Sequence, residues 1–180
     1  TNREDQQPHI QTIYDQESGA LFARQSWNGS QPNQIAFAAA SPRAASYSGD
    51  RTAVLGRNRS ASRPAALERM HLDNRAGAGL DPAAALQLEV SLERGGQVEV
   101  VFLLGEAGSA EEARAIISRY QNRDQVHQAL AVTRKSWDST LGVLQVRTPV
   151  LSTDFLLNRW LPYQALSCRF WGRSAFYQSS

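Results

Sequence analysis

The sequence predicts a mainly β protein with added α: an antiparallel β-sandwich over residues 1–108, followed by a helical segment over 109–180. Three observations carry this reading. Two adjacent runs near residue 95 alternate apolar and polar side chains with a period of two. Turn-forming residues punctuate the chain at short intervals up to Gly108, and at Ser109 the apolar period changes to that of a helix.

Strands come first. "HIQTIYD" and "ALFAR" flank the turn Glu17-Ser18-Gly19, and "QIAFAAAS" follows. All are short and apolar-rich, as strands in a sandwich are. "SGDRTAVLGRNRSASRPAAL" carries too many Gly, Ser, Arg and Pro residues for regular structure and reads as a long loop. Leu80-Asp81-Pro82 is a stop or turn.

The clearest segment is "LQLEVSLERGGQVEVVFLLGEA". Leu86, Leu88, Val90 and Leu92 alternate with polar residues; after Arg94-Gly95-Gly96-Gln97 the period resumes at Val98, Val100, Phe102 and Leu104. Successive side chains of a strand point to opposite faces, so each run is expected to bury this set. The Gly pair supplies positive φ for a tight turn, and the two runs are expected to pair as a hairpin.

Ser109, with Glu112 three residues on, forms the capping-box pattern. Ala113, Ile116, Ile117 and Tyr120 then mark one helix face, and Val126, Leu130, Thr133 and Trp137 continue on helical spacing after "QNRDQ". "LGVLQVRTPV" reads as an extended crossing ended by Pro149. Ser152 or Asp154 then caps a last helix with Leu157, Trp160, Leu161, Gln164, Cys168 and Trp171 on roughly one side; Pro162 falls within its first turns or divides it.

Composition narrows the function classes. The chain is 42% hydrophobic and 20% charged, with a net charge of +2. Lys135 is its only lysine and the arginines form no long stripe, so nucleic acid is not an expected partner. No stretch approaches the ~20 apolar residues of a membrane span. The unpaired Cys168 offers no internal disulfide, and a cytoplasmic, reducing location is expected. The opening "TNREDQQPH", without a starting Met, reads as a trimmed edge.

Catalytic constellations are not visible. His9, His71 and His127 lie on unrelated segments, so no metal site is expected. Cys168, on an aromatic helix face, reads as a buried structural cysteine rather than a nucleophile. The carboxylates are too scattered to nominate a glycosidase-like pair.

The ending adds more. "TPVLSTDFLLNRWLPYQALSCRFWGRSAFYQSS" resembles the junction ahead of the catalytic barrel in glycoside hydrolase family 94, the cellobiose and chitobiose phosphorylase family. The run Asn158-Arg159-Trp160-Leu161, Tyr163-Gln164, Cys168-Arg169 and Tyr177-Gln178-Ser179 carries the likeness. Upstream, "SGALFARQSWNG", with its Trp27-Asn28-Gly29 core, and "YSGDRTAVLGRNRSASRPAAL" resemble the family's N-terminal sandwich, particularly in the cyclic β-1,2-glucan synthase branch.

The resemblance implies a mutarotase-like supersandwich, a helical linker, and an (α/α)₆ barrel beyond residue 180. It implies inverting phosphorolysis or transfer on β-linked glucans, with inorganic phosphate as co-substrate and no resident cofactor or metal. The catalytic acid belongs to the barrel, so no residue here is assigned as catalytic and the chain alone is expected to be inactive. Arg173, Tyr177, Gln178 and Ser179 are expected in the outer shell of the sugar site; an arginine fork suits phosphate or sugar hydroxyls. Trp160, Phe170 and Trp171 are expected to pack between linker and barrel, leaving an apolar face uncovered here. The implied partners are the barrel, a β-glucan or oligosaccharide, and a second protomer, in a parent associated with the inner membrane. The rival expectation is a free-standing carbohydrate-binding or protein-interaction sandwich module.

Overall fold

Antiparallel pairing organises the first part of the chain into two sheets. The computed structural model describes residues 9–25 and 33–172, without the side chain of Arg169, so Trp27-Asn28-Gly29 lies outside the described residues. Strands β1 (Ile10–Asp15), β2 (Ala20–Gln25), β3 (Ile35–Ser41) and β6 (Val101–Ala107) form one sheet in the order β1-β2-β3-β6. Strands β4 (Ser46–Asp50) and β5 (Pro82–Gln87) form the other. All pairs are antiparallel.

The register lines up Ile13, Phe22, Phe37 and Gly105 as one row across the four-stranded sheet. That row lies on the face that holds the core, with Ala20, Phe22, Ile35, Phe37, Ala39 and Ala107 buried together. Gly105 is required here: a Cβ on it would come within 2.6 Å of the Phe37 ring, which lies over the glycine. The expected turn at residues 17–19 forms, with Gly19 at φ +71° and its N–H donating to the Asp15 carbonyl at 2.8 Å.

Helix α1 (Arg51–Leu55) interrupts the expected long loop, capped by Asp50, whose carboxylate accepts from the Thr52 N–H at 2.9 Å. Ser48–Asp50, also expected in that loop, belongs to β4. A short 3₁₀ turn, Ala65–Glu68, follows. Thr12 of β1 exchanges hydrogen bonds with Gly77, in the segment that connects β4 to β5 (N–H to carbonyl, 3.1 Å; Gly77 N–H to hydroxyl, 3.0 Å). Tyr14 stacks on Tyr47 nearby, with ring centroids 3.7 Å apart.

The expected hairpin is corrected. Its two halves enter different sheets: β5 pairs with β4, and β6 with β3. No strand is assigned over residues 88–100. The turn itself forms, with Gly95 at φ +77° and the Gly96 N–H donating to Glu93 at 2.9 Å. The phase of β6 is also the reverse of that expected. Val101 and Ala107 are buried and Leu103 packs on the core, whereas Phe102 and Leu104 are 66% and 88% exposed.

Helix α2 (Ala110–Gln121) is laid on the core face by Ala113 and Ile117, both fully buried. The Ser109 half of its capping box forms, with Ser109 Oγ accepting from the Glu112 N–H at 3.2 Å, while the Glu112 carboxylate reaches one residue further back and accepts from the Gly108 N–H at 2.8 Å. Helix α3 (Arg123–Leu141) follows at once. The compact unit holding the sheets runs to Val126, and residues 127–180 form a second unit.

In that second unit, the expected extended crossing after Leu141 is held by side chains. Asn158 accepts from the Val146 N–H at 2.7 Å and donates to its carbonyl at 2.8 Å; Asp154 accepts from the Thr148 N–H at 2.7 Å. Asp154 thus braces the approach to the helix, while the N-cap position is Val150, without a side-chain cap. The terminal helical run comprises α4 (Leu151–Phe155), a π stretch (Leu156–Trp160), α5 (Leu161–Gln164) and a second π stretch (Ala165–Trp171). Pro162 does not divide it. Proline has no N–H and its ring collides with the carbonyl four residues back. The wider turn just before it, with the Leu161 N–H reaching five residues back to Leu156, keeps the run unbroken.

Candidate functional site

The sugar-site residues expected from the sequence, Arg173, Tyr177, Gln178 and Ser179, lie outside the described residues. The three histidines lie on separate segments. His9 precedes β1, His71 sits 3.9 Å from Glu89, and His127 is on α3. Among the described residues no group of three His, Cys, Asp or Glu is placed to hold a metal ion, and no helix is long and apolar enough to cross a membrane.

Cys168 corrects an expectation: it is exposed, its thiol 3.3 Å from the Gln164 side-chain oxygen. The aromatic residues beside it on the helix are exposed as well, so the face expected to bury it is open to solvent.

What the second unit presents is an aromatic surface. Trp137 of α3 packs against Tyr163 and Trp171, with centroids 5.2 and 5.3 Å away, and Trp160 leans on Tyr163 at 6.3 Å. An ion pair between Arg159 and Asp138, at 2.7 Å, fastens the terminal run to α3. These contacts use only part of the apolar area. Phe155, Trp160 and Trp171 remain 66%, 50% and 62% exposed, and Leu151 and Phe170 are exposed too. Trp137, Trp160, Tyr163 and Trp171 form one chain of ring contacts, and partly exposed aromatic groups joined in this way mark a contact site more readily than scattered single residues do. Trp160 and Trp171 are thus uncovered, as the open-face expectation requires; Tyr177 lies outside the described residues.

The first unit has its own apolar surface, which sequence reasoning missed. A cleft of about 270 Å³ opens beside β5, lined among others by Ile10, Leu21, Ala36, Ala38, Pro82 and Leu104. Its lining contains no charged side chain, so it offers shape and apolar contact rather than acid–base chemistry. The signal was present in Val101-Phe102-Leu103-Leu104, four apolar residues in succession, which make both faces of a strand apolar.

The one strongly shifted carboxyl among the described residues is structural. The Arg114 guanidinium beside Asp15 holds its carboxyl down to about 2, helped by the Ser18 hydroxyl and N–H and opposed by burial. It lies where β1 meets α2, joining helix to sheet, and lines neither apolar surface.

An antiparallel two-sheet β domain carrying a helix on one sheet, with an aromatic helical unit after it, defines the class of the described residues as mainly β with added α. A family model described as "Glycosyl hydrolase 94, supersandwich domain" matches residues 1–123, and the chain belongs to that family.

Three relatives give the context. The chain is 32% identical over 180 residues to a cyclic beta-(1,2)-glucan synthase, NdvB, of Rhizobium meliloti, covering 99% of this chain and 6% of the relative. It is 34% identical over 133 residues to an N,N'-diacetylchitobiose phosphorylase of Vibrio furnissii, covering 73% of this chain and 16% of the relative. It is 33% identical over 101 residues to a cellobionic acid phosphorylase of Neurospora crassa, covering 56% and 13%. The chain therefore spans only a small part of the length of these much larger proteins.

Proposed function

We propose that this chain is the non-catalytic sandwich and linker portion of a carbohydrate-active enzyme that carries out inverting phosphorolysis or glycosyl transfer on β-linked glucans. The likeness to a cyclic β-1,2-glucan synthase along 99% of the chain makes a β-1,2-glucan the first substrate to test. In such a reaction inorganic phosphate attacks the anomeric carbon while a carboxylic acid protonates the departing oxygen, so a single titrating carboxyl suffices. The observation that carries the reading is the aromatic surface of the second unit, with Phe155, Trp160 and Trp171 each at least half exposed. A catalytic domain docked on the terminal run would bury that surface. The chain's role is then to position that domain, and Arg173, Tyr177, Gln178 and Ser179 would contribute to the outer shell of its sugar site. A second protomer of the whole enzyme is a further partner in this reading.

The test is reconstitution. The purified 180 residues, incubated with β-1,2-glucan and inorganic phosphate, should release no glucose 1-phosphate. Addition of a separately produced catalytic domain of the parent enzyme should give a complex that quenches and blue-shifts Trp160 and Trp171 fluorescence. Glucose 1-phosphate release by the chain alone would overturn the proposal. Unchanged fluorescence, together with tight binding of the glucan to the chain itself, would instead favour a free-standing carbohydrate-binding module.

A further inference from the structure

We draw no further inference here: the strongest candidate, the uncovered apolar face of the four-stranded sheet around Phe102 and Leu104 with its adjoining cleft, carries nothing because nothing in the structure shows what covers it.

Discussion

Arg114 grips the carboxylate of Asp15 from 99 residues away in sequence, with Nη2 and Nε at 2.7 and 3.1 Å from Oδ1 and Nε at 3.2 Å from Oδ2. Ser18 adds its hydroxyl at 2.6 Å and its N–H at 2.9 Å. Asp15 is 8% exposed, so its charge is held in place of water by these donors. The pair clamps the end of β1 to α2, and Gln121 repeats the clamp further along, donating to the Ser18 carbonyl at 3.2 Å while its own carbonyl accepts from Ser41.

A pH dependence follows from this clamp. The Asp15 carboxyl titrates at about 2 in the fold, against 3.8 for the ordinary group. A depressed folded value contributes stability that is complete above the unfolded value and is lost as pH falls from about 4 toward 2. The difference corresponds to about 2 kcal/mol at neutral pH. Asp15→Asn should therefore lower unfolding free energy by about that amount at pH 7 in urea titrations. The gap between variant and wild type should close near pH 2; a gap that stays constant with pH would show that the carboxylate charge is not what matters.

Gly105 and Phe37 form a second coupled pair. With the ring lying where a Cβ would go, Gly105→Ala forces the ring to move and should cost about 1–3 kcal/mol. Phe37→Ala alone should cost about 3–5 kcal/mol, since it empties the buried row. In the double variant the alanine at 105 meets no ring, so the combined loss should be smaller than the sum of the singles. Strict additivity in a double-mutant cycle would contradict the close approach.

Much of this fold was legible before any coordinates. The β1–β2 turn, β3 and the Ser109 cap are local events, dictated by residues a few positions apart, and all of them form. The partners of β5 and β6 are not local. The alternation from Leu86 to Leu104 is real, and the Glu93–Gly96 turn closes as its glycines require, but pairing is decided by which neighbours β3 and β4 offer. The phase of β6 could not be read either. In Val101-Phe102-Leu103-Leu104 both alternating sets are apolar, and the choice falls to α2, whose Ala113 and Ile117 complete the core with Ala107 and Leu103. Of the candidate site, the aromatic terminal run was legible as a helix face, whereas the exposure of Cys168 was not, because exposure depends on what lies opposite.

The capping box at the start of α2 gives a narrower test. Ser109→Ala removes the acceptor for the Glu112 N–H and should cost about 1 kcal/mol, while Ser109→Asp, which keeps an acceptor near the positive end of the helix, should cost little. Equal losses in the two variants, measured by thermal unfolding, would mean that the side-chain oxygen is not the cap.

Asn158 acts on the second unit as a peptide-like partner for Val146, accepting and donating once each. Asn158→Ala deletes both bonds, and Asn158→Asp keeps only the acceptor. Amide hydrogen exchange at Val146 should accelerate about tenfold or more in the alanine variant, in line with a net hydrogen-bond contribution of about 1 kcal/mol or somewhat above. The aspartate variant should retain most of the protection of that amide, and Ile117, in the other unit, should be unaffected in both. Unchanged exchange at Val146 would remove Asn158 from its role.

The reversed phase of β6 makes the last prediction, one that separates its two faces by stability alone. Leu103 packs against the core and Leu104 is 88% exposed, although they are the same residue type one position apart. Leu103→Ala should cost about 2 kcal/mol or more, the toll of removing packed methylenes from a core that does not fully collapse around the gap. Leu104→Ser should stay within about 0.5 kcal/mol of wild type, as substitutions on an open surface do. If instead the serine at 104 unfolds the chain and the alanine at 103 is silent, the odd-numbered residues are not the inner set, and Phe102 and Leu104 face the core as their alternation with Val98 and Val100 first suggested.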